Sequence, residues 1–345
     1  MNFILLFLFQ LIIIFISIKL YYKSNIVMID KSINNVQKIH VNPVPRFGGV
    51  CLFIGLISSY FFRLNESTFF LQFLVCMLPM LLISFYEDVM QNTTPKIRLL
   101  GILISSFTII QLIPLPNIDL PLVSYFLTFN LIKITFFAIC MATLINGFNV
   151  IDGSNGVAST SAISAIVSVI CISIELDDYS LLQLYLTIVI LLITFMLFNY
   201  PWGKIFLGDS GAYMLGYMTG VITIYFYARH EELPFYGALL ILFYPLIELI
   251  FSFFRKIITR KNPLKPDEHH LHLILYRILF AKTKNSKIAN NLMLPLLFLL
   301  TVMPSFCLFF IYNNVGLILY ALALFVAIYF SLYKYLIGYE ASITQ

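Results

Sequence analysis

Long apolar runs separated by short polar punctuation set the pattern of this chain. They fall at about 2–20, 48–64, 68–86, 97–113, 121–146, 154–174, 181–199, 210–228, 236–254, 291–312 and 315–337. Most approach the ~20 residues a helix needs to cross a bilayer, and none alternates as a half-buried strand would. The pattern predicts an all-α, polytopic integral membrane protein with about 11 transmembrane helices, 10 at the lower count. Cytoplasmic loops are expected near 21–47, 87–97, 147–153, 200–209 and 255–290. No soluble domain, repeat or low-complexity tract interrupts the pattern, so residues 1–345 read as a single transmembrane domain. The first run has no basic residue before it and no small-residue cleavage site, and reads as a retained span rather than a signal peptide.

Composition narrows the class. Hydrophobic residues make up 61% of the chain and charged residues 11%, against roughly 25% charged in soluble domains. That excludes soluble, fibrous and disordered readings, and nucleic acid as a partner. The net charge of +5 has a different meaning here, because Lys and Arg mark the cytoplasmic side of membrane proteins. With the N-terminus outside, 18 of the 21 basic residues fall in inside connections and two, Arg63 and Arg229, outside. The expected orientation is N-out, C-in. The five cysteines are scattered singly through apolar runs and read as small buried hydrophobes.

Carboxylates are costly in a bilayer, so their placement is informative. Glu87, Asp88, Asp152 and Asp209 stand at the ends of spans on the expected cytoplasmic side. Several carboxylates meeting at one membrane face beside many basic groups suggest a metal and an anionic substrate. The most ordered cluster runs Asn146-Gly-Phe-Asn149-Val-Ile-Asp152-Gly-Ser-Asn155-Gly156, with a polar side chain every third residue; on a helix these drift slowly around one face. Phe206-Leu-Gly-Asp209-Ser-Gly211 opens the eighth span, where Asp209 suits either a helix cap or a phosphate or metal site. Arg98, ten residues after Asp88, is placed to clamp phosphate. His270 and His272 share a side only in an extended segment, and without third and fourth ligands nearby they suit phosphate or sugar contact better than zinc. Pro45-Arg46-Phe-Gly-Gly49 leads into the second span with a basic side chain at its entry. Leu271–Phe280 could lie on the membrane surface as an amphipathic helix. Lys133 and Glu248 sit within spans, with internal pairing and snorkelling both open.

These segments, PVPRFGG, YEDV, NGFNVIDGSNGVAS, FLGDSGAYMLG and PDEHHLHLILYR, occur in the order seen in the polyprenyl-phosphate N-acetylhexosamine-1-phosphate transferases, which the chain resembles over roughly residues 40–280. The layout is most similar to the undecaprenyl-phosphate GlcNAc-1-phosphate branch. The resemblance implies transfer of an N-acetylaminosugar 1-phosphate from a UDP-sugar to undecaprenyl phosphate, with release of UMP, at the cytoplasmic face of a bacterial inner membrane. It implies Mg²⁺, with Mn²⁺ as an alternative, held by Asp209 and Asn149. It places Asp88 and Glu87 beside the acceptor phosphate as the catalytic pair. Arg98, Asn146, Asp152, Asn155, His270, His272 and Arg46 are the implied substrate contacts, with Asn155 at the uracil and Arg98 at the diphosphate. Membrane lipids and a homodimeric partner complete the expected associations. Two positions depart from the family pattern: Glu87 stands where Asp is usual, and the loop reads HLHL where many members have HxHH. The first departure makes Asp88 the more important expected acid. The second, with the absence of an HHHxE-like loop, points away from a peptidoglycan precursor and towards an O-antigen, teichoic-acid or capsule initiating sugar. A transporter or flippase is the alternative class, and a lipid-binding but inactive relative the third.

Overall fold

A computed structural model describes residues 1–23, 44–118, 121–262 and 267–344. The expected loop at 21–47 therefore lies largely outside the described residues. Fifteen helices occur among the described residues: α1 (Asn2–Lys23), α2 (Gly48–Phe61), α3 (Thr68–Met90), α4 (Pro95–Ile110), α5 (Pro121–Leu127), α6 (Asn130–Ile151), α7 (Val157–Glu175), α8 (Leu182–Asn199), α9 (Gly208–Arg229), α10 (Gly237–Ile241), α11 (Phe243–Ile258), α12 (Leu271–Thr283), α13 (Ser286–Thr301), α14 (Met303–Ile311) and α15 (Val315–Thr344). No strand occurs among them. Seven segments are long and apolar enough to cross a membrane: α1, α3, α6, α7, α8, the α13–α14 pair and α15. The protein is an all-α membrane protein.

Seven such segments stand against the 11 spans expected, while the helices outnumber the 11 apolar runs because three runs are broken, and proline explains two of the breaks. Pro245 cannot donate to Ile241, and its ring crowds that carbonyl, so α10 stops and α11 restarts after Leu242. Pro304 does the same between α13 and α14. The fifteenth helix, α12, forms in the basic loop as expected, but Leu271, Leu273, Ile274, Leu275, Ile278 and Leu279 are buried in packing against α13 and α15. Its apolar side is thus spent on the protein.

The centre of the bundle is α9, buried along almost its whole length and packed on α2, α3, α6 and α7. Small residues permit this closeness, as in membrane helix interfaces generally: a Cβ on Gly216 would lie 2.5 Å from the Ile145 Cα of α6. Because α9 is enclosed by protein, Tyr, Thr and Gly can occupy its middle; Tyr217 is buried and donates to the Phe73 carbonyl of α3 at 3.0 Å. The α6 helix runs on to Ile151, so Asn146 and Asn149 are helical residues and the connection begins at Asp152. At the opposite end from the site, Lys133 is tied to the Leu115 carbonyl and Asn117 Oδ1 at 3.0 and 3.2 Å. That settles how this in-span lysine is satisfied.

Candidate active site

The first turn of α9 is built around Asp88 of α3. Asp88 Oδ1 accepts the Asp209 backbone N–H at 2.7 Å, and Oδ2 accepts the Ser210 N–H at 2.9 Å and its hydroxyl at 2.7 Å. A helix starts with N–H groups that have no intrahelical acceptor; here a carboxylate from another helix serves as the cap, at 2% exposure. Gly208 makes this approach sterically feasible. It has φ of +72°, and a Cβ there would lie 2.6 Å from Asp88 Oδ2. Residues 45–49 clip onto the same turn: the Phe206 N–H donates to the Pro45 carbonyl, and the Gly48 and Gly49 N–H groups donate to the Phe206 and Leu207 carbonyls, each at 2.9 Å. Two motifs some 160 residues apart are thereby one structural unit.

Neighbouring Glu87 is used differently. Adjacent residues on a helix point about 100° apart, so Glu87 turns towards the α3–α4 connection. Its Oε2 accepts the Thr93 N–H at 2.7 Å and the Thr93 hydroxyl at 2.6 Å. Thr94 then caps α4, which delivers Arg98 one turn in. Arg98 Nη1 meets Asp209 Oδ2 at 2.5 Å, with side chains 23% and 20% exposed. Among the described residues the buried Arg98 Nε has no hydrogen-bond partner.

Asp152, at the end of α6, joins this charge cluster. Removal from water and the negative charge of Asp209 push its carboxyl well above the ordinary carboxylate range; Arg46 opposes the shift and Asp88 adds to it. Asn149, one turn earlier, is half-buried. Asn146 is also half-buried and turns its amide back on the Ala142 carbonyl at 2.8 Å. Asn155 is buried at 5% exposure, with its backbone N–H on Asn290 Oδ1 at 2.9 Å. The next N–H, of Gly156, is held by Asn199 Oδ1 at 2.7 Å, while Asn199 Nδ2 donates to the Ile205 carbonyl at 2.8 Å. Asn199 thus ties the start of α7 to the chain entering α9.

His270 and His272 flank the start of α12 with their rings stacked, centroids 5.5 Å apart and planes at 8°. His272 is buried at 2% exposure and packs on Gly153, where a Cβ would lie 2.6 Å from its Nε2. Burial, with a contribution from His270, lowers its pKa to about 4. At neutral pH His272 is therefore uncharged. His270 Nδ1 lies 3.1 Å from Glu248 Oε1.

The structure therefore joins Asp88, Asp209, Arg98, Asp152 and Arg46 in one electrostatic cluster and brings His272 against the Asp152–Gly153 turn. Sequence reasoning passed over Ser210, Asn199, Asn290 and Glu248. Ser210 sat in a quoted motif, and Glu248 was visible as an acid within a span. Asn199 and Asn290 gave no signal, since an amide at a helix end is ordinary. Tyr213 was also passed over; it is buried at 3% exposure one turn from Asp209 and within the fields of Asp209, Arg98, Asp88 and Glu87.

As a cation site, the cluster offers oxygen donors only, which suits a hard divalent ion. The Asp152 carboxyl, raised first by burial and then by the charge of Asp209, marks negative charge that such an ion would neutralise. Among the described residues no group of three or more His, Cys, Asp or Glu side chains is gathered to chelate a metal. Water and substrate oxygens would have to complete the shell, as is usual for Mg²⁺.

Residues 70–227, which carry every one of these side chains except Arg46 and those beyond α9, match the model described as glycosyl transferase family 4. The undecaprenyl-phosphate alpha-N-acetylglucosaminyl 1-phosphate transferase of Thermotoga maritima is 27% identical over 241 residues, covering 70% of this chain and 71% of that protein. The enzyme of the same name from Yersinia pestis is 25% identical over 286 residues, 80% of this chain and 76% of its own. A phospho-N-acetylmuramoyl-pentapeptide-transferase from Bartonella quintana is 27% identical over 257 residues, 66% and 71% of the two chains. The central helices and the carboxylate cluster lie inside the matched region, and over that region the chain is similar to glycosyl transferase family 4.

Proposed function

We propose that this protein transfers an N-acetylaminosugar 1-phosphate from a UDP-linked donor, UDP-GlcNAc or a related UDP-N-acetylhexosamine, to undecaprenyl phosphate. An oxygen of the acceptor phosphate forms a bond to the phosphorus that carries the sugar, the diphosphate linkage breaks, and UMP leaves. The observation that carries this reading is the cluster of Asp88, Asp152 and Asp209 with Arg98 and Arg46 at one end of the bundle. Phosphoryl transfer between two anions needs neutralisation and alignment more than covalent chemistry, and a mixed cluster of acids and guanidiniums at a membrane face provides both. A transport pathway would instead place its polar groups near the midplane on broken helices.

Within this reading Asp209 and Asn149 would hold one Mg²⁺, or Mn²⁺, which when bound supplies positive charge to the phosphates. The other roles fall to the chain itself. Asp88, saturated by three donors, fixes the first turn of α9 and so the aim of Asp209. Glu87, half-buried and anchored by one oxygen to Thr93, faces the acceptor phosphate. Arg98 binds the donor diphosphate, where a phosphate oxygen would satisfy its unpartnered Nε. Asn155 lies at the uracil subsite, with Asn146 and Asp152 beside it. His270 and His272 close over the sugar and phosphates, and Arg46 adds charge from the α2 entry. The basic-residue bias supports an N-out, C-in orientation with the site on the cytoplasmic side of a bacterial inner membrane. The product would initiate a lipid-linked cell-surface polysaccharide.

The test is UMP release by the purified full-length protein given UDP-GlcNAc, undecaprenyl phosphate and Mg²⁺. Dependence of UMP on both substrates and on the metal is expected. No UMP with any UDP-N-acetylhexosamine, alongside movement of undecaprenyl phosphate between leaflets of protein-containing vesicles, would instead identify a transporter.

A further inference from the structure

Glu248 of α11 has no part in the reading above, yet it is among the most completely engaged side chains near the histidines. It is buried, with 1% side-chain exposure. Its Oε1 accepts the Leu271 backbone N–H at 2.8 Å and lies 3.1 Å from His270 Nδ1; its Oε2 accepts the Tyr329 hydroxyl of α15 at 3.0 Å. An ionised carboxylate has no proton to give, so in this contact Nδ1 is the donor. The partner of one ring nitrogen decides what the other can do. Nε2 lies 4.0 Å from Asp267 Oδ2, beyond hydrogen-bond reach, and is left to accept a hydrogen bond.

The last helix braces the same loop at further points. Tyr333 donates to the His269 carbonyl at 3.1 Å. Arg277 of α12 pairs with Glu340 and donates to the Glu268 carbonyl at 2.7 Å. From α11, Ser252 and Arg255 both donate to Asp267, which in turn accepts the His269 N–H at 3.0 Å. None of α11, α12 or α15 lies in the stretch that matches the family model. The histidine loop is thus held by elements outside that stretch, and the hydrogen bond of His270 Nδ1 ends on Glu248.

We propose that Glu248, locked by Tyr329 of the C-terminal helix, is a positioning residue that fixes His270 in its Nδ1-protonated form and so reserves Nε2 for the sugar phosphates. This rests on the reading of His270 as a substrate contact. A purely structural buried glutamate would support stability without setting the state of one ring, and the two can be separated.

The experiment uses the full chain in detergent with ¹⁵N-labelled histidine, and the spectrum of His270→Gln identifies the His270 signals. In the unaltered protein at pH 8, His270 Nδ1 should show the shift of a protonated ring nitrogen and Nε2 that of an unprotonated one. Glu248→Gln, nearly the same shape, can face His270 with an amide donor and should convert much of the ring to the opposite tautomer. The same variant should lose roughly 10- to 100-fold in kcat/KM for the UDP-sugar, the scale seen when an orienting partner is removed from a functional histidine. Its KM for undecaprenyl phosphate should not move. Tyr329→Phe, which deletes one hydroxyl and keeps the ring, should change both readouts in the same direction and less, and it tests the idea should Glu248→Gln fail to fold. Unchanged His270 nitrogen shifts in the folded variants would overturn the proposal, as would a changed tautomer with unchanged kinetics. Absence of turnover in the unaltered protein would refute the functional reading and with it the positioning role. The nitrogen shifts would still decide separately whether Glu248 sets the ring.

Discussion

Replacing Asp88 by Asn changes one atom in the cap of α9, and its cost can be worked from the three bonds at that carboxylate. The least damaging placement puts the Asn oxygen where Oδ2 accepts both Ser210 donors at 2.9 and 2.7 Å. The amide nitrogen then faces the Asp209 N–H, which now sits 2.7 Å from an acceptor. A donor facing a donor in a buried place leaves that N–H unsatisfied, a loss of about 1–3 kcal/mol. The two bonds to Ser210 lose their charge assistance, roughly half their strength or ~1 kcal/mol together. Loss of the negative charge at a helix N-terminus adds up to ~2 kcal/mol. The total is about 2–6 kcal/mol, large beside the usual margin of stability. At ~2 °C per kcal/mol for a large chain, the unfolding midpoint should fall by roughly 4–12 °C. The assay is thermal unfolding of purified protein in detergent, followed by tryptophan fluorescence at Trp202 or by aggregation, with UMP release measured well below the new midpoint. Activity and midpoint should fall together. An unchanged midpoint with lost activity would refute the capping argument and assign Asp88 to the chemistry alone.

Other expectations follow from single contacts. Gly153→Ala should displace His272, because the new Cβ would lie 2.6 Å from its Nε2; a rise of about tenfold in KM for the UDP-sugar with little change in the unfolding midpoint is expected, and unaltered kinetics would separate His272 from substrate. Asp209→Asn should abolish UMP release with poor rescue by excess Mg²⁺, while Asn149→Ala should raise the Mg²⁺ concentration for half activity more than the KM for undecaprenyl phosphate. Full activity and metal dependence in Asp209→Asn would leave Asp209 as no more than a helix-start residue paired with Arg98. A cysteine replacing Tyr179, 55% exposed beyond the end of α7, should react with a membrane-impermeant reagent in intact cells, and one replacing Lys284 should be spared; the reverse pattern would invert the orientation. Asp178→Asn should loosen the clasp at that same end, where Asp178 is met by Arg229 at 2.9 Å and by His230 at 3.0 Å. There burial would raise the Asp178 carboxyl, but Arg229, Ser180 and His230 hold it well below the ordinary range. Its contribution is therefore present above the ordinary carboxylate pKa and lost only in strong acid, so the variant's stability deficit at pH 7 should shrink towards pH 2.

By itself the sequence determined that the chain is a helical membrane protein and where most of its long apolar helices begin and end, because insertion depends on mean apolarity over a window and that is a local property. It also located the acids and amides at span ends, since a charge inside lipid is expensive enough to make each one conspicuous. What it left open were properties of pairs. Asp88 and Glu87 are adjacent and chemically similar, yet one caps α9 and the other closes a turn at Thr93; the difference arises from the 100° between them and from which helix lies on each side. The breaks at Leu242 and Val302 needed the neighbouring packing as well as the prolines, because Pro79 and Pro295 stand inside α3 and α13 without ending them. At Pro79 the nearby Met80 N–H is taken up by Ser105 Oγ of α4 at 3.0 Å. The Leu271–Phe280 segment has the composition of a surface helix, and only the presence of α13 and α15 decided that its apolar side would be covered by protein. Glu248 is the clearest case. In the sequence it is a lone acid in an apolar run, and its partners His270 and Tyr329 lie 22 and 81 residues away. A buried charge is tolerable only when donors surround it, and which donors do so is a fact of the tertiary structure alone.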